Sequence, residues 1–343
     1  MSHYKLAFLG FGNVGVALAE LLLRKESEIK QKHNITFEVT GIATGRHGLA
    51  ICPGGINLPQ ALSLVNDGKS LAPINQHPAS TTVEDFILNC GADVLFEATP
   101  INYESGQPAV DYIRASLESG MHVFTANKGP VVHAYQSLTA LAESKNVKFY
   151  FESTVMDGAP IFGLFRETLP ASQIQGFRGV LNSTTNVILT RMENGESFDE
   201  AVAYAQSIGI AETDPSGDID GWDAAVKLSA LATVLMDIPT KPQDVTRTGI
   251  REITADDIAL AKSKGMRWKL ICEARWVDDQ LQKTVSPQMV GVESPFFGIN
   301  GTTSIVQIES DVLGKLSILE EDPGTHTTAY GMLADFLNAV QKS

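Results

Sequence analysis

Cysteine is scarce in this chain. Cys52, Cys90 and Cys272 are the only three among 343 residues, scattered and odd in number. A disulfide framework needs paired cysteines and a zinc site needs close ligand spacings, so both are excluded and the compartment is expected to be reducing, the cytoplasm. Cations are short as well. Lys and Arg total 26 against 40 Asp and Glu, a net charge of −14, and they form no cluster that could serve a nucleic acid or an anionic membrane. No apolar run reaches the roughly 18 residues of a membrane span. The apolar start Tyr4–Leu9 breaks at glycines and lacks the cleavage pattern of a signal peptide. Internal repeats and low-complexity stretches are also missing. What is left, 43% hydrophobic and 19% charged residues, has the balance of a soluble globular enzyme. Its length exceeds one ordinary core and predicts two domains.

The first domain announces itself at once. Tyr4–Leu9 reads as a buried strand, and it runs into Gly10-Phe-Gly12-Asn13-Val14-Gly15. Val14, Ala17, Leu18, Leu21 and Leu22 then recur at helical spacing. A Gly-x-Gly-x-x-Gly turn between strand and helix is a dinucleotide fingerprint. The first glycine permits the tight turn, the second admits the pyrophosphate, and the third allows close packing of helix on strand. Unpaired N–H groups at the helix start, from Asn13, Val14 and Gly15, suit the phosphates. The second strand, near Phe37–Ala43, ends at Thr44-Gly-Arg46-His. An NAD site usually has an acid at this point to hold the ribose 2′-hydroxyl. Here there is an arginine and no acid, which favours the 2′-phosphate of NADP. Further on, Val94–Pro100 and His122–Pro130 each read as a strand running into a tight turn. Thr99 and Lys128 thus lie at carboxyl ends of strands, where such sheets bind ligands.

The most acidic stretch lies between residues 205 and 227. Glu212, Asp214, Asp218, Asp220 and Asp223 crowd a loop and the start of an apolar helix that carries one cation, Lys227. Asp223 and Lys227 are four residues apart and share a helix face. A surface ion pair is one reading. Calcium is another, since Ser216, Asp218, Asp220 and Gly221 imitate an EF-hand loop, but Lys227 stands where that loop needs a bidentate glutamate, so calcium fails. In the third reading the acids hold an ammonium group and the lysine serves an oxygen that gains or loses a proton.

The fixed positions Ala205, Gly209, Asp214, Pro215, Asp218, Gly221, Asp223 and Lys227 together resemble the signature of homoserine dehydrogenases. Thr125-Ala-Asn-Lys128-Gly-Pro and Gly179-Val-Leu-Asn-Ser-Thr-Thr-Asn186 resemble further family segments, as does the region from Ser294 to Ala329, so the likeness covers nearly the whole chain. It implies an α/β fold, with a Rossmann-type dinucleotide-binding domain (1–150 plus 318–343) and an α+β catalytic and dimerisation domain (151–317). The implied reaction is the reversible reduction of L-aspartate 4-semialdehyde to L-homoserine by NAD(P)H in a homodimer.

By the same resemblance Lys227 is the principal acid–base residue and Lys128 assists it. Glu212, Asp218, Asp223 and Thr184 bind substrate, while Thr99 lines the nicotinamide end of the cofactor site. The resemblance also implies a monovalent cation, Na+ or K+, held by Glu152 and the carbonyls of Val155 and Asp157. Oxygen-only ligation suits such a hard ion. The chain departs from the family pattern at Ser183, where glycine is usual, and in Asp322-Pro-Gly-Thr-His-Thr327, where a richer glycine loop is usual. These departures touch substrate identity and nucleotide affinity. The expected form is the short one, without an appended regulatory domain. Two alternatives stay open. An aspartate-semialdehyde dehydrogenase would need a nucleophilic cysteine, and a non-catalytic NADP-binding sensor would bind the dinucleotide without turnover.

Overall fold

The apolar stretch at the start becomes strand β1 (Ser2–Leu9), whose second half is wholly buried in the middle of a six-stranded sheet. Its companions are β2 (Ile35–Ala43), β3 (Leu49–Ile51), β4 (Val94–Glu97), β5 (His122–Thr125) and β6 (Phe149–Tyr150), in the order β3-β2-β1-β4-β5-β6. All neighbours run parallel except β3, which returns antiparallel to β2. The intervening helices are α1 (Asn13–His33), α2 (Leu58–Asn66), α3 (Val83–Asn89), α4 (Ala109–Glu118) and α5 (Lys128–Ser144). Leu6, Phe8, Phe96 and Phe124 from the strands pack with Leu18 and Leu22 of α1 and with Met332 and Phe336 of the closing helix, Thr325–Val340. The Phe96 and Phe336 rings meet edge to face with centroids 6.0 Å apart, a geometry that adds to simple area burial, and Phe8 lies tilted against Phe96 at 5.6 Å.

This computed structural model describes residues 1–77 and 81–341 and divides the chain into two units. The first runs from Met1 to Pro160 and resumes at Gly324; the second is Ile161–Pro323. Both changeovers fall later in the chain than the 150/151 and 317/318 boundaries expected from sequence, the second because strand β12 (Gly314–Glu320) still pairs within the second unit. Strand β6 is short, since Glu152–Thr154 turns into a 3-10 helix whose first N–H donates to Asp335 Oδ2 at 2.8 Å. Beyond Pro160 the chain forms a π-helical segment, Leu164–Thr168.

The second unit is a sheet with helices, as an α+β domain should be; its strands pair antiparallel except at one edge, where the short Thr246–Arg247 runs parallel to Gln280–Val290. Its strands are β7 (Ile174–Val180), β8 (Thr246–Arg247), β9 (Arg267–Val277), β10 (Gln280–Val290), β11 (Ser304–Ser310) and β12, in the order β12-β11-β7-β9-β10-β8. Asp278 and Asp279, both at positive φ (47° and 60°), make the two-residue turn between β9 and β10, the combination a type I′ hairpin requires. Helices α6 (Ser183–Glu193), α7 (Phe198–Ser207), α8 (Ser216–Ile219), α9 (Trp222–Leu235) and α10 (Ala255–Ser263) complete the unit. No helix among the described residues is long and apolar enough to cross a membrane.

Candidate active site

In the first unit the carboxyl ends of four strands are knitted together by main-chain hydrogen bonds. Gly10 N donates to Ala43 O, Ala98 N to Leu9 O, and Ala126 N to Glu97 O, at 2.9, 2.8 and 3.1 Å. Gly10 sits at φ +93°, and a side chain there would lie 2.4 Å from the carbonyl oxygen of Ala98. Only glycine lets the turn after β1 lie this close to the turn after β4. Gly12 is the opposite case. It is exposed and a Cβ on it would meet nothing within 4 Å, as expected where a pyrophosphate comes close to the main chain. Gly12 caps α1 with no side-chain hydrogen bond, so the N–H groups of Asn13, Val14 and Gly15 keep the anion-binding character of a helix start. These residues fit a dinucleotide.

At the end of β2, Thr44 closes a small loop: its hydroxyl donates to Gly48 O (3.1 Å) and accepts from His47 N (2.6 Å). Arg46 is exposed on that loop. Beside it Ala43, Thr44, Gly48, Leu49, Ser70 and Asn75 line a cleft of about 320 Å3. Thr99 and Lys128 lie at the ends of β4 and β5. Lys128 is the first residue of α5, whose cap is Asn127, accepting Gly129 N at 2.9 Å.

The second unit holds the acid–lysine cluster. Helix α9 begins at Trp222, on which Arg247 stacks at 3.8 Å while its guanidinium also donates to Asp220 O. Arg251 forks onto the Asp220 carboxylate at 3.0 and 3.2 Å. Asp220 is therefore a structural acid that braces the helix start. One turn into α9, Lys227 Nζ lies 3.2 Å from Asp223 Oδ2 and donates to Leu181 O at 2.6 Å, with both side chains largely buried, 16% and 12% exposed. This burial rules out the surface-stripe reading of the pair.

Asn182, which the sequence reading passed over, is the hub. It caps α6, its Oδ1 accepting Thr185 N at 2.9 Å, which fixes the orientation of the amide. Its Nδ2 then donates to both Asp218 Oδ1 (2.6 Å) and Asp223 Oδ2 (3.0 Å). One amide thus holds two carboxylates together. Burial first, and then the charge of Asp223, push the Asp218 carboxyl above its ordinary value, against the hydrogen bonds of Asn182 and Thr184 and the charge of Lys227. Helix α6 begins at Ser183, directly after the Asn182 cap. The only advance signal was a lone Asn at the end of an apolar strand, a residue type strongly favoured at N-caps.

The remaining candidates divide. Thr184 is buried, and its hydroxyl donates to Ile210 O at 3.0 Å. The Ser183 hydroxyl turns to Thr302 O at 2.9 Å. Glu212 is exposed, and the cluster's hydrogen bonds and ion pairs do not extend to its carboxylate; its contact is through the main-chain oxygen, which accepts from Gln206. Glu152 and Val155 are buried in the first unit, and Asp157 accepts from the hydroxyls of Thr328 (3.1 Å) and Thr327 (3.3 Å). All three cysteines are buried. Burial pushes the Cys90 thiol up and the Cys272 thiol up to about 12, the reverse of what a nucleophile needs.

A glycine-rich turn on a parallel sheet, with a separate α+β unit that buries a lysine between acids, defines a two-domain nicotinamide-dependent oxidoreductase. The comparisons give the particular one. Residues 160–337 match the family model for homoserine dehydrogenase, and residues 10–152 match the model for the homoserine dehydrogenase NAD binding domain. The NAD(+)-dependent homoserine dehydrogenase of Pseudomonas canavaninivorans is 36% identical over 100% of this chain and 98% of its own. The homoserine dehydrogenase of Methanocaldococcus jannaschii is 34% identical over 97% of each. Among solved structures, a hyperthermophilic archaeal homoserine dehydrogenase in complex with NADPH superposes with a TM-score of 0.83, at 28% identity over 99% of this chain and 98% of that one. The chain belongs to the homoserine dehydrogenase family. It is an NAD(P)-dependent oxidoreductase acting on a CH–OH group, interconverting L-homoserine and L-aspartate 4-semialdehyde in the synthesis of aspartate-derived amino acids.

Proposed function

We infer that Lys227 is the acid–base residue of this reaction, a reading carried by its position in the second unit. It is a mostly buried ammonium with Asp223 Oδ2 at 3.2 Å and the strand-end carbonyl of Leu181 at 2.6 Å. The bound dinucleotide supplies or accepts the hydride. Lys227 gives a proton to the aldehyde oxygen in reduction and takes it from the alcohol in oxidation. Asp218 and Asp223, tied by Asn182, provide the negative charge that suits the substrate's α-ammonium group, and Thr184 orders the loop beside them. Glu212, being exposed, contributes through the field of the loop rather than by contact. Lys128, at the start of α5, assists from the nicotinamide end of the dinucleotide-binding unit, with Thr99. Reduction of NADP by L-homoserine at alkaline pH tests the reading. Turnover that is unchanged in Lys227→Met would sink it.

NADP is the expected preference, although one relative is named for NAD(+) and another is seen with NADPH. The support is local: no acid follows β2, and Arg46 is exposed on the loop that does. Arg46→Ala should raise KM for NADP roughly tenfold, the loss of one charge-assisted phosphate contact, and leave KM for NAD nearly unchanged. Equal changes in both would show that Arg46 does not read the 2′-phosphate.

Glu152 and the carbonyls of Val155 and Asp157 offer hard oxygen donors for Na+ or K+. Melting temperature and activity that ignore both ions would count against that site. A homodimer is supported by the sheet of the second unit, where Arg178, Glu273, Arg275 and a half-exposed Trp276 border a cleft of about 630 Å3. Sedimentation at the monomer mass would exclude it. The cytoplasm is the expected location, consistent with three reduced, buried thiols.

A further inference from the structure

We propose that Glu97, at the carboxyl end of β4, is the positioning residue for the nicotinamide half of the dinucleotide: it locks the turns after β4 and β5 into one rigid unit.

Glu97 is wholly buried. Its Oε1 accepts from both Thr99 N (2.8 Å) and the Thr99 hydroxyl (2.5 Å), and its Oε2 accepts from the Thr125 hydroxyl at 2.5 Å. The Thr125 oxygen accepts Asn127 N at 2.9 Å, and Asn127 Nδ2 donates back to Thr99 O at 3.2 Å. The ring of hydrogen bonds is thereby closed, and the residue next to it is Lys128. Asn127 Oδ1 meanwhile caps α5 by accepting Gly129 N, so the same ring sets the direction in which that helix starts.

Asn127 N and the Thr99 main-chain N–H can only donate, and the Thr99 and Thr125 hydroxyls sit within hydrogen-bond distance of the two carboxyl oxygens. Burial is the largest influence and raises the Glu97 pKa above its ordinary value, against the hydrogen bonds of Thr125, Thr99 and Asn127.

Location gives the network its role. A dinucleotide lies across the carboxyl ends of such a sheet with its pyrophosphate at the first glycine turn. The adenosine half then extends toward β2, and the nicotinamide half toward β4 and β5. A Cβ on Gly10 would run into the main chain of Ala98 and Thr99, so the Glu97 ring begins where the pyrophosphate site ends.

Glu97→Gln keeps the shape but replaces one acceptor oxygen of the ring with an amide NH2 that can only donate. We expect kcat to fall on the order of tenfold to a hundredfold, the scale of a small misplacement of reacting groups. The Kd for ADP-ribose, which has no nicotinamide, should not move, and the Kd for the whole dinucleotide should rise. Thr125→Val should reproduce the kinetic loss, while Thr125→Ser, which keeps the hydroxyl, should restore wild-type kcat. The proposal is overturned by wild-type kcat in Glu97→Gln, by an equal loss of affinity for ADP-ribose and the whole dinucleotide, or by a Thr125→Ser variant as slow as Thr125→Val. ADP-ribose binding reports directly on the folded unit, so a variant that merely fails to fold counts among the overturning results.

Discussion

Replacing Lys227 with methionine is expected to lower kcat in both directions by on the order of a hundredfold to ten-thousandfold, the range for removing a general acid–base group. The Kd for the dinucleotide should stay at its wild-type value, because the glycine turn that receives it belongs to the other unit. Stability should also fall. Lys227 is the cation of a cluster in which Asn182 holds Asp218 and Asp223 together, and removing it leaves a buried carboxylate without its counter-charge, which costs about 1–3 kcal/mol or more. The two effects can be separated. Adding Asp223→Asn to Lys227→Met removes the orphaned charge and should recover part of the melting temperature, while kcat stays low. If the double variant recovered turnover along with stability, Lys227 would be a structural partner of Asp223 and nothing more. Lys227→Arg sharpens the point. A guanidinium keeps the charge but does not release its proton in the working pH range, so it should keep much of the stability and little of the activity.

The parts of this molecule that were legible in the sequence are those whose chemistry depends on neighbours in the chain. Gly10, Gly12 and Gly15 declare a turn between a strand and a helix within six residues, and the structure uses them as that spacing requires. Asp223 and Lys227 declare their contact through helical spacing alone. Asn182 is different. Its partners, on α8 and α9, lie 36 and 41 residues away, and only the placement of those two helices beside the end of β7 brings them together. Glu97 looked like the polar end of an apolar strand, and its meaning comes from Thr125, a residue on the adjacent strand and 28 positions distant. Glu212 lies inside the acidic stretch with an exposed side chain, outside the cluster that Asn182 ties together, so proximity in sequence could not sort which acids of the loop are buried together.

The same limit hid Lys269, the other large effect expected here. It lies in β9 with no exposed surface, its Nζ donating to Asn186 Oδ1 at 2.9 Å and to the carbonyl of Ile299. Asn186 in turn donates from Nδ2 to Gly301 O at 2.8 Å, so the lysine fastens α6, and with it the cap at Asn182, to the loop before β11. Burial, reinforced by the charge of Arg267 on the same strand and opposed by Glu193 on α6, pulls its pKa down to about 7 from 10.5. In the unfolded chain the amine holds its proton up to the ordinary lysine value; in the folded chain it releases the proton near 7. Between those values the unfolded state binds more protons, and stability rises with pH. The contribution is fully present above about 10.5 and is lost as pH falls toward 7, with a limiting slope of roughly 1.4 kcal/mol per pH unit. Lys269→Met removes that titration and leaves two oxygens without a donor. Denaturant melts of both proteins from pH 6.5 to 9.5 should therefore show a stability deficit in the variant that widens steadily with pH. A deficit that stays constant would mean that the two oxygen acceptors keep the ammonium charged in the folded protein, and that burial loses to hydrogen bonding at this site.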